Sequence, residues 1–199
     1  FPPHTPMKRL IATLSLLAML TACQTSSTKE NPLLTESTLD YQAPDFSKIR
    51  PAHFIPAIEE GIRIQLAEID SITSNTAAPT FENTVLAYEK SGRLLARATS
   101  ILSGLVGADG TEELQKIDEE TTPMLSAHHD ALLLNEKLFA RIKAVYDQRS
   151  SLQGEDLRLT EVLYDQFVHE GALLSAADKE ALKKINSEIA VLQTKFTNQ

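Results

Sequence analysis

Tryptophan is absent from this 199-residue chain, cysteine occurs once, and aromatic residues make up only 6%. A single thiol cannot close an internal disulfide, and it rules out any multi-cysteine zinc or iron–sulfur centre. Basic residues are also in the minority, with 19 Lys and Arg against 27 Asp and Glu and a formal charge of −8. Phosphate recognition needs clustered Lys and Arg, so nucleic acid is excluded as a partner. Glycine and proline are sparse beyond the first few positions, leaving few breakers. What remains is rich in Ala, Leu, Ile, Glu and Lys, which favour helix over sheet. With 42% apolar residues the chain can bury a core and is no disordered tail.

No apolar run is long enough to cross a bilayer as a helix, which takes roughly 20 residues. The longest, Leu10 to Leu20, follows Met7, Lys8 and Arg9, and Phe1 to Pro6 are set aside as upstream residues. A positive start followed by a short apolar stretch is the form of a signal peptide. Its end, Leu20-Thr21-Ala22-Cys23, resembles the bacterial lipobox, in which the thiol accepts the lipid. An ordinary secretory signal with a coincident cysteine is the competing reading. Acylation at Cys23 would anchor the chain firmly to a membrane. Gln24 after the cysteine, by resemblance to lipoprotein sorting, points to the outer membrane, facing the periplasm. The expected division is residues 1–22 as upstream residues and signal, 23–44 as a polar lipid-anchored tether, and 45–199 as a helical body. Loss of Lys8 and Arg9 makes the mature chain two charges more acidic.

From Phe54 onward the apolar spacing is helical. Phe54, Ile58, Ile62, Leu66, Ile69 and Ile72 mark a first helix, with Pro51 suited to its first turn. Phe81 to Val106 reads as a second, closed by Gly104, Gly107 and Gly110. A third begins near Thr111, and Pro123 should kink or divide it. Asn135 is a natural N-cap for a fourth. Leu159, Leu163 and Phe167 mark a fifth that stops near Gly171. Ser175 and Asp178 frame a capping-box variant before a sixth. Its Leu182, Ile185, Ile189, Leu192 and Phe196 suggest coiled-coil-like antiparallel packing. The fold expected is all-α, an antiparallel, bundle-like helical lobe. The last helix has no C-cap, so a continuation is expected, along with exposed apolar surface from Ile185 to Phe196.

Catalytic chemistry is not legible in these residues. His128 and His129 are adjacent and point about 100° apart on a helix, so they cannot share one metal. His169-Glu170 begins like the zinc-helix motif His-Glu-x-x-His, but Leu173 stands where the second imidazole is needed and Gly171 intervenes. His53 is isolated. The pairs Glu59-Glu60, Glu112-Glu113 and Glu119-Glu120 lie among polar residues and read as solvated helix faces, not as carboxylates with divergent pKa values. The catalytic, metal and cofactor residues expected in this segment are therefore none, with Cys23 as its sole modification site.

The word order of the chain carries more. Phe46–Gly61, with Arg50-Pro51, His53-Phe54 and Pro56-Ala57 at its centre, resembles the opening of the zinc oligopeptidase family of thimet oligopeptidase, oligopeptidase A and bacterial dipeptidyl carboxypeptidase. Ala78-Pro79-Thr80-Phe81-Glu82-Asn83-Thr84 is a second and distinctive match. Glu113–Gln115, Pro123–His128, Asn135–Lys143 and Leu174–Lys179 continue the series in order, and Tyr146–Arg149 looks closest to the dipeptidyl carboxypeptidase branch. The resemblance implies the N-terminal half of a two-lobed helical peptidase. That lobe walls a channel admitting short, unstructured peptides. Zinc and its ligands belong to the other lobe, so none is expected here and this segment alone is expected to be inactive. The implied activity is that of a zinc metallopeptidase hydrolysing oligopeptides and releasing C-terminal dipeptides. Short peptides are then the partners, and a monomer is expected. The competing reading is a non-catalytic helical lipoprotein that binds peptides or envelope partners.

Overall fold

Two apolar clusters, joined end to end by two long helices, organise the chain. A computed structural model describes residues 31–197, so Cys23 and the signal segment lie outside the described residues. The elements are α1 (Phe54–Thr73), α2 (Ala87–Glu89, entered through a π-helical stretch Phe81–Leu86), α3 (Arg93–Asp109), α4 (Glu112–Leu133), α5 (Glu136–Asp147), α6 (Gly154–His169) and α7 (Ala176–Thr197). No strand occurs among the described residues. The all-α expectation holds.

Helix α1 starts on a 3-10 turn, Pro51–His53, where proline needs no N–H partner. Its first half buries Phe54, Ala57 and Ile58 against Leu95, Ala98, Ile101 and Leu102 of α3 and against Leu114 and Ile117 of α4. Its second half buries Ile69 and Ile72 in another cluster, with Phe81, Val85, Leu133, Leu138, Phe139, Ile142, Leu163 and Phe167. Helices α1 and α4 therefore run through both cores. The α1–α3 crossing is close because Gly61 has no side chain: a Cβ there would stand 2.8 Å from the Leu95 Cα. In the second core Tyr146, Tyr164, Phe139 and Phe167 stack in sequence, and the Arg149 guanidinium lies 4.0 Å above the Tyr146 ring.

The body begins earlier than residue 45. Leu33, inside the stretch read as tether, is 1% exposed in the first core, and its carbonyl accepts from Arg97 Nη2 at 2.9 Å. The predicted caps of α5 and α7 are present. Asn135 Oδ1 accepts from the Leu138 N–H at 3.0 Å, and Ser175 Oγ accepts from the Asp178 N–H at 3.2 Å. Thr111 Oγ1 caps α4 in the same way.

Two local expectations fail and one is narrowed. The second helix does not run from Phe81 to Val106 but breaks at Gly92, which adopts φ +70°. The first end of α3 is fastened there by a bond from the Gly92 N–H to Glu68 Oε2 at 2.8 Å. Gly104 and Gly107 lie inside α3, exposed with nothing near them, and only Gly110 follows its end. Helix α4 passes through Pro123 without dividing. Thr121 and Thr122 just before it donate their hydroxyls to the Ile117 and Asp118 carbonyls.

The third concerns α7, which pairs with α4 in antiparallel fashion through a polar seam. Thr122 meets Thr194 at 2.9 Å and Asn186 Nδ2 donates to Asp130 Oδ1 at 2.7 Å, while at the start of α7 Lys179 Nζ donates to Glu136 Oε1 of α5 at 3.3 Å. The apolar stripe expected in that seam faces outward instead. Ile185, Ile189, Leu192 and Phe196 are all exposed, Phe196 at 81%. Their exposure matches the other expectation for this helix.

Candidate functional site

The most developed polar arrangement sits between the two cores, where α1 and α4 cross from one to the other. Gln65 lies on α1 between Ile58 of the first core and Ile69 of the second, and His128 lies on α4 between Ile117 and Leu132. His128 is 6% exposed. Its Nε2–H donates to Gln65 Oε1 at 2.7 Å, which sets the tautomer and leaves Nδ1 as a bare lone pair. Gln65 Nε2 donates to Ser91 Oγ at 3.2 Å, and Ser91 Oγ donates to the Tyr88 carbonyl at 2.7 Å. The relay thus ties α4 to α1 and α1 to the turn between α2 and α3. Gly92 completes it, since a Cβ there would stand 2.4 Å from the Gln65 amide.

Two open clefts flank the relay. One, of about 470 Å³, is lined by Glu59, Ile62, Leu66, Met124, His128 and Ala131. The other, of about 370 Å³, is lined by Ser91, Leu95, Thr99, Leu125 and both histidines. Burial, with a smaller contribution from His129, lowers the His128 pKa and favours the neutral ring. The Nδ1 atom has no hydrogen-bond partner within the protein. A neutral imidazole with one hydrogen bond fixed can accept a proton or a hydrogen bond. What the bonds of this arrangement show is the joining of α4, α1 and the α2–α3 turn.

The other sequence candidates are dispersed. His53 Nδ1 accepts from the Arg50 N–H at 3.1 Å and serves the start of α1. His169 closes α6 and donates from Nδ1 to the Asp165 carbonyl at 2.8 Å. Glu170 faces His129 at 3.7 Å on the surface. Glu60 is held by Arg63 at 2.6 Å, a bond that lowers its pKa. Glu112 and Glu113 occupy the first turn of α4, where the helix dipole favours anions. Among the described residues no three His, Cys, Asp or Glu side chains could hold a metal together. The donor set for zinc is therefore not supplied by these residues, and no step through a metal is drawn from them.

The distinctive Ala78–Thr84 stretch has a structural explanation. Thr80 and Asn83 form a reciprocal capping box at 2.9 and 3.2 Å. Asn83 Nδ2 donates to the Ala78 carbonyl, while Asn83 Oδ1 also accepts from Thr84 Oγ1 and from Arg141 Nη2. Arg141, buried on α5, donates further to the Asn75 and Ala77 carbonyls. The motif is a clamp that fastens the α1–α2 connection onto α5. Both Asn83 and Arg141 fall in stretches matched by resemblance, but nothing in the sequence indicated that the two meet.

Comparison with known proteins adds what the side chains leave open. Residues 7–24 match the model for the prokaryotic membrane lipoprotein lipid attachment site. Residues across 85% of the chain are 44% identical to a dipeptidyl carboxypeptidase of Salmonella typhimurium, covering 25% of that protein. The Escherichia coli dipeptidyl carboxypeptidase is 42% identical over 86% of the chain and 26% of its own length. An oligopeptidase A of Salmonella typhimurium is 28% identical over 59% of the chain and 17% of its length. The chain spans about a quarter of the length of the first two relatives.

Proposed function

Because this chain is homologous to dipeptidyl carboxypeptidase and oligopeptidase A, we propose that it is the N-terminal, substrate-gating part of a zinc metallopeptidase that hydrolyses oligopeptides and releases C-terminal dipeptides. The observation that carries this reading is the 44% identity maintained across 85% of the chain, to a relative four times as extensive. Residues 45–199 then contribute a rigid wall and no hydrolytic group. Zinc and its ligands lie in a part of the protein outside this segment, and the protein acts as a monomer on short peptides. Acylation at Cys23 holds it in the envelope, on the periplasmic face of the outer membrane. Two features support this division. Several polar groups of the described body, among them Gln65, Asn83, Arg141 and Asn186, are engaged in joining helices. The outward stripe of α7, Ile185 to Phe196, is also the kind of apolar face that another part of a larger protein covers.

The test uses the product of the whole reading frame beside residues 24–199 alone, each incubated with N-blocked tetrapeptides and followed by mass spectrometry. The long form is expected to release the C-terminal dipeptide and to lose that activity to a chelator, while the short form is inert. Hydrolysis by residues 24–199 would overturn the reading. So would a reading frame that ends without a His-Glu-x-x-His helix, which would establish the non-catalytic lipoprotein instead.

A further inference from the structure

The chain enters its folded body beside an exposed apolar turn. Pro32 and Leu33 open the body, and they line one cleft of about 240 Å³ together with Leu39, Gln42, Pro44 and Asp45. The turn Asp40–Gln42 projects from the same stretch. Tyr41 at its tip is 103% exposed, with Leu39 at 49% and Phe46 at 56% on either side. Tyr41 and Gln42 both hold positive φ, 58° and 56°, a conformation that L residues rarely adopt. The backbone is thus turned so that an aromatic ring is presented outward, covered by none of the described residues.

We propose that this turn is a bilayer contact, and that Tyr41, Leu39 and Phe46 seat in the headgroup region of the membrane to which Cys23 is anchored. Chain length argues for this occupant. Nine residue steps separate Cys23 from Pro32, so covalent geometry holds the body's entry within roughly 30 Å of the acylated residue. Tyr side chains favour the membrane–water boundary, where the ring is half in apolar surroundings and the hydroxyl stays wet. Charge is partly offset. Asp45 pairs with Lys48 at 2.8 Å and Glu36 meets Arg93 at 3.4 Å, while Asp40 in the turn itself is exposed. Two of the three acidic groups around the turn are thus compensated, and the stretch can approach a neutral or weakly anionic lipid surface. The lipid anchor keeps the concentration of bilayer near the turn high, so that a small apolar contact suffices. Contact here would fix which side of the body faces the membrane.

The inference rests on acylation at Cys23, which an intact-mass measurement verifies separately. The chain has no tryptophan, so Tyr41→Trp, Phe46→Trp and Leu173→Trp each create a single reporter. The third probes an exposed apolar residue in the α6–α7 connection. Each acylated variant is reconstituted in phosphatidylethanolamine–phosphatidylglycerol vesicles with and without brominated acyl chains. At positions 41 and 46 the emission is expected to shift to the blue and to be quenched several-fold more than at 173. Water-like, unquenched emission at both turn positions would overturn the proposal. Equal quenching at all three positions would also overturn it, since the body would then lie on lipid without a preferred face.

Discussion

At the residue scale, His128 is the group whose protonation state the fold decides. Burial lowers its pKa below the ordinary histidine value, so the unfolded chain takes up a proton that the folded one resists. Stability from this group is complete above the ordinary histidine pKa and is lost as pH falls through that value towards the lowered one. A proton arriving at Nδ1 finds no acceptor, and the groups around it do little to help: His129 on the same helix repels it, Gln65 on α1 is already engaged, and Glu59 is exposed at the far rim of the cleft. Thermal melts of residues 24–199 are expected to show a midpoint that falls on acidification below neutrality. In His128→Asn that dependence should largely vanish, and an unchanged slope would show that other groups control it. Arg141 is the second decisive residue. Arg141→Ala removes one of the donors to Asn83 Oδ1 and the bonds to the Asn75 and Ala77 carbonyls, and should cost about 1–3 kcal/mol in denaturant unfolding. Arg141→Lys should recover only part of it, because one ammonium cannot reproduce the planar fork.

At the element scale, glycine placement separates close packing from solvent-exposed helix. Gly61→Ala drives a methyl into the α3 backbone at Leu95, and about 1–3 kcal/mol of destabilisation is expected. Gly104→Ala meets nothing and should stabilise α3 slightly, by up to about 1 kcal/mol, through helix propensity. Paired chemical-denaturation curves for the two variants check this contrast directly. The contrast also explains a reading error. From sequence, Gly104, Gly107 and Gly110 looked like a terminator because they come in series, and Gly92 looked like one position in a stripe. Backbone conformation reverses their roles, and nothing in the residue names distinguishes φ +70° from a helical value.

Helix α7 shows where periodicity runs out. Its apolar 3-4 spacing is real, but spacing locates a face without saying what it faces. The polar seam that binds α4 includes Asn186 and Thr194, and Lys179 reaches α5, all residues that hydropathy assigns to water. Asn186→Ala leaves the buried Asp130 carboxylate without its amide donor, and about 1–3 kcal/mol should be lost. Leu192→Glu on the outer face should change the melt of residues 24–199 by no more than about 0.5 kcal/mol. It should also reduce self-association in sedimentation. A large loss of stability in Leu192→Glu would mean that this face is buried in solution.

At the scale of the whole molecule, composition and spacing sufficed for the class of fold, the caps at Asn135 and Ser175, and most core positions of α1, α5 and α6. They could not reveal that the body is two cores threaded by α1 and α4, because that depends on which helices lie against each half. The functional side was legible differently. Cys23 was read from a local signal, whereas the peptidase relationship came from the order of short matches and not from any reactive group. Asn83 shows why such matches persist in the absence of chemistry: one amide serves four partners, and few other side chains have both a donor and an acceptor at that reach.

Leu33 gives the attachment of this body a mechanical side. Were Cys23 acylated, a pull along the chain would reach the described body at its first buried residues, Asn31 and Leu33. Leu33 would meet it with a side chain sunk in the first core and a carbonyl gripped by Arg97 of α3. Such a load would pass into the α1–α3 core before it reached the apolar turn at Tyr41.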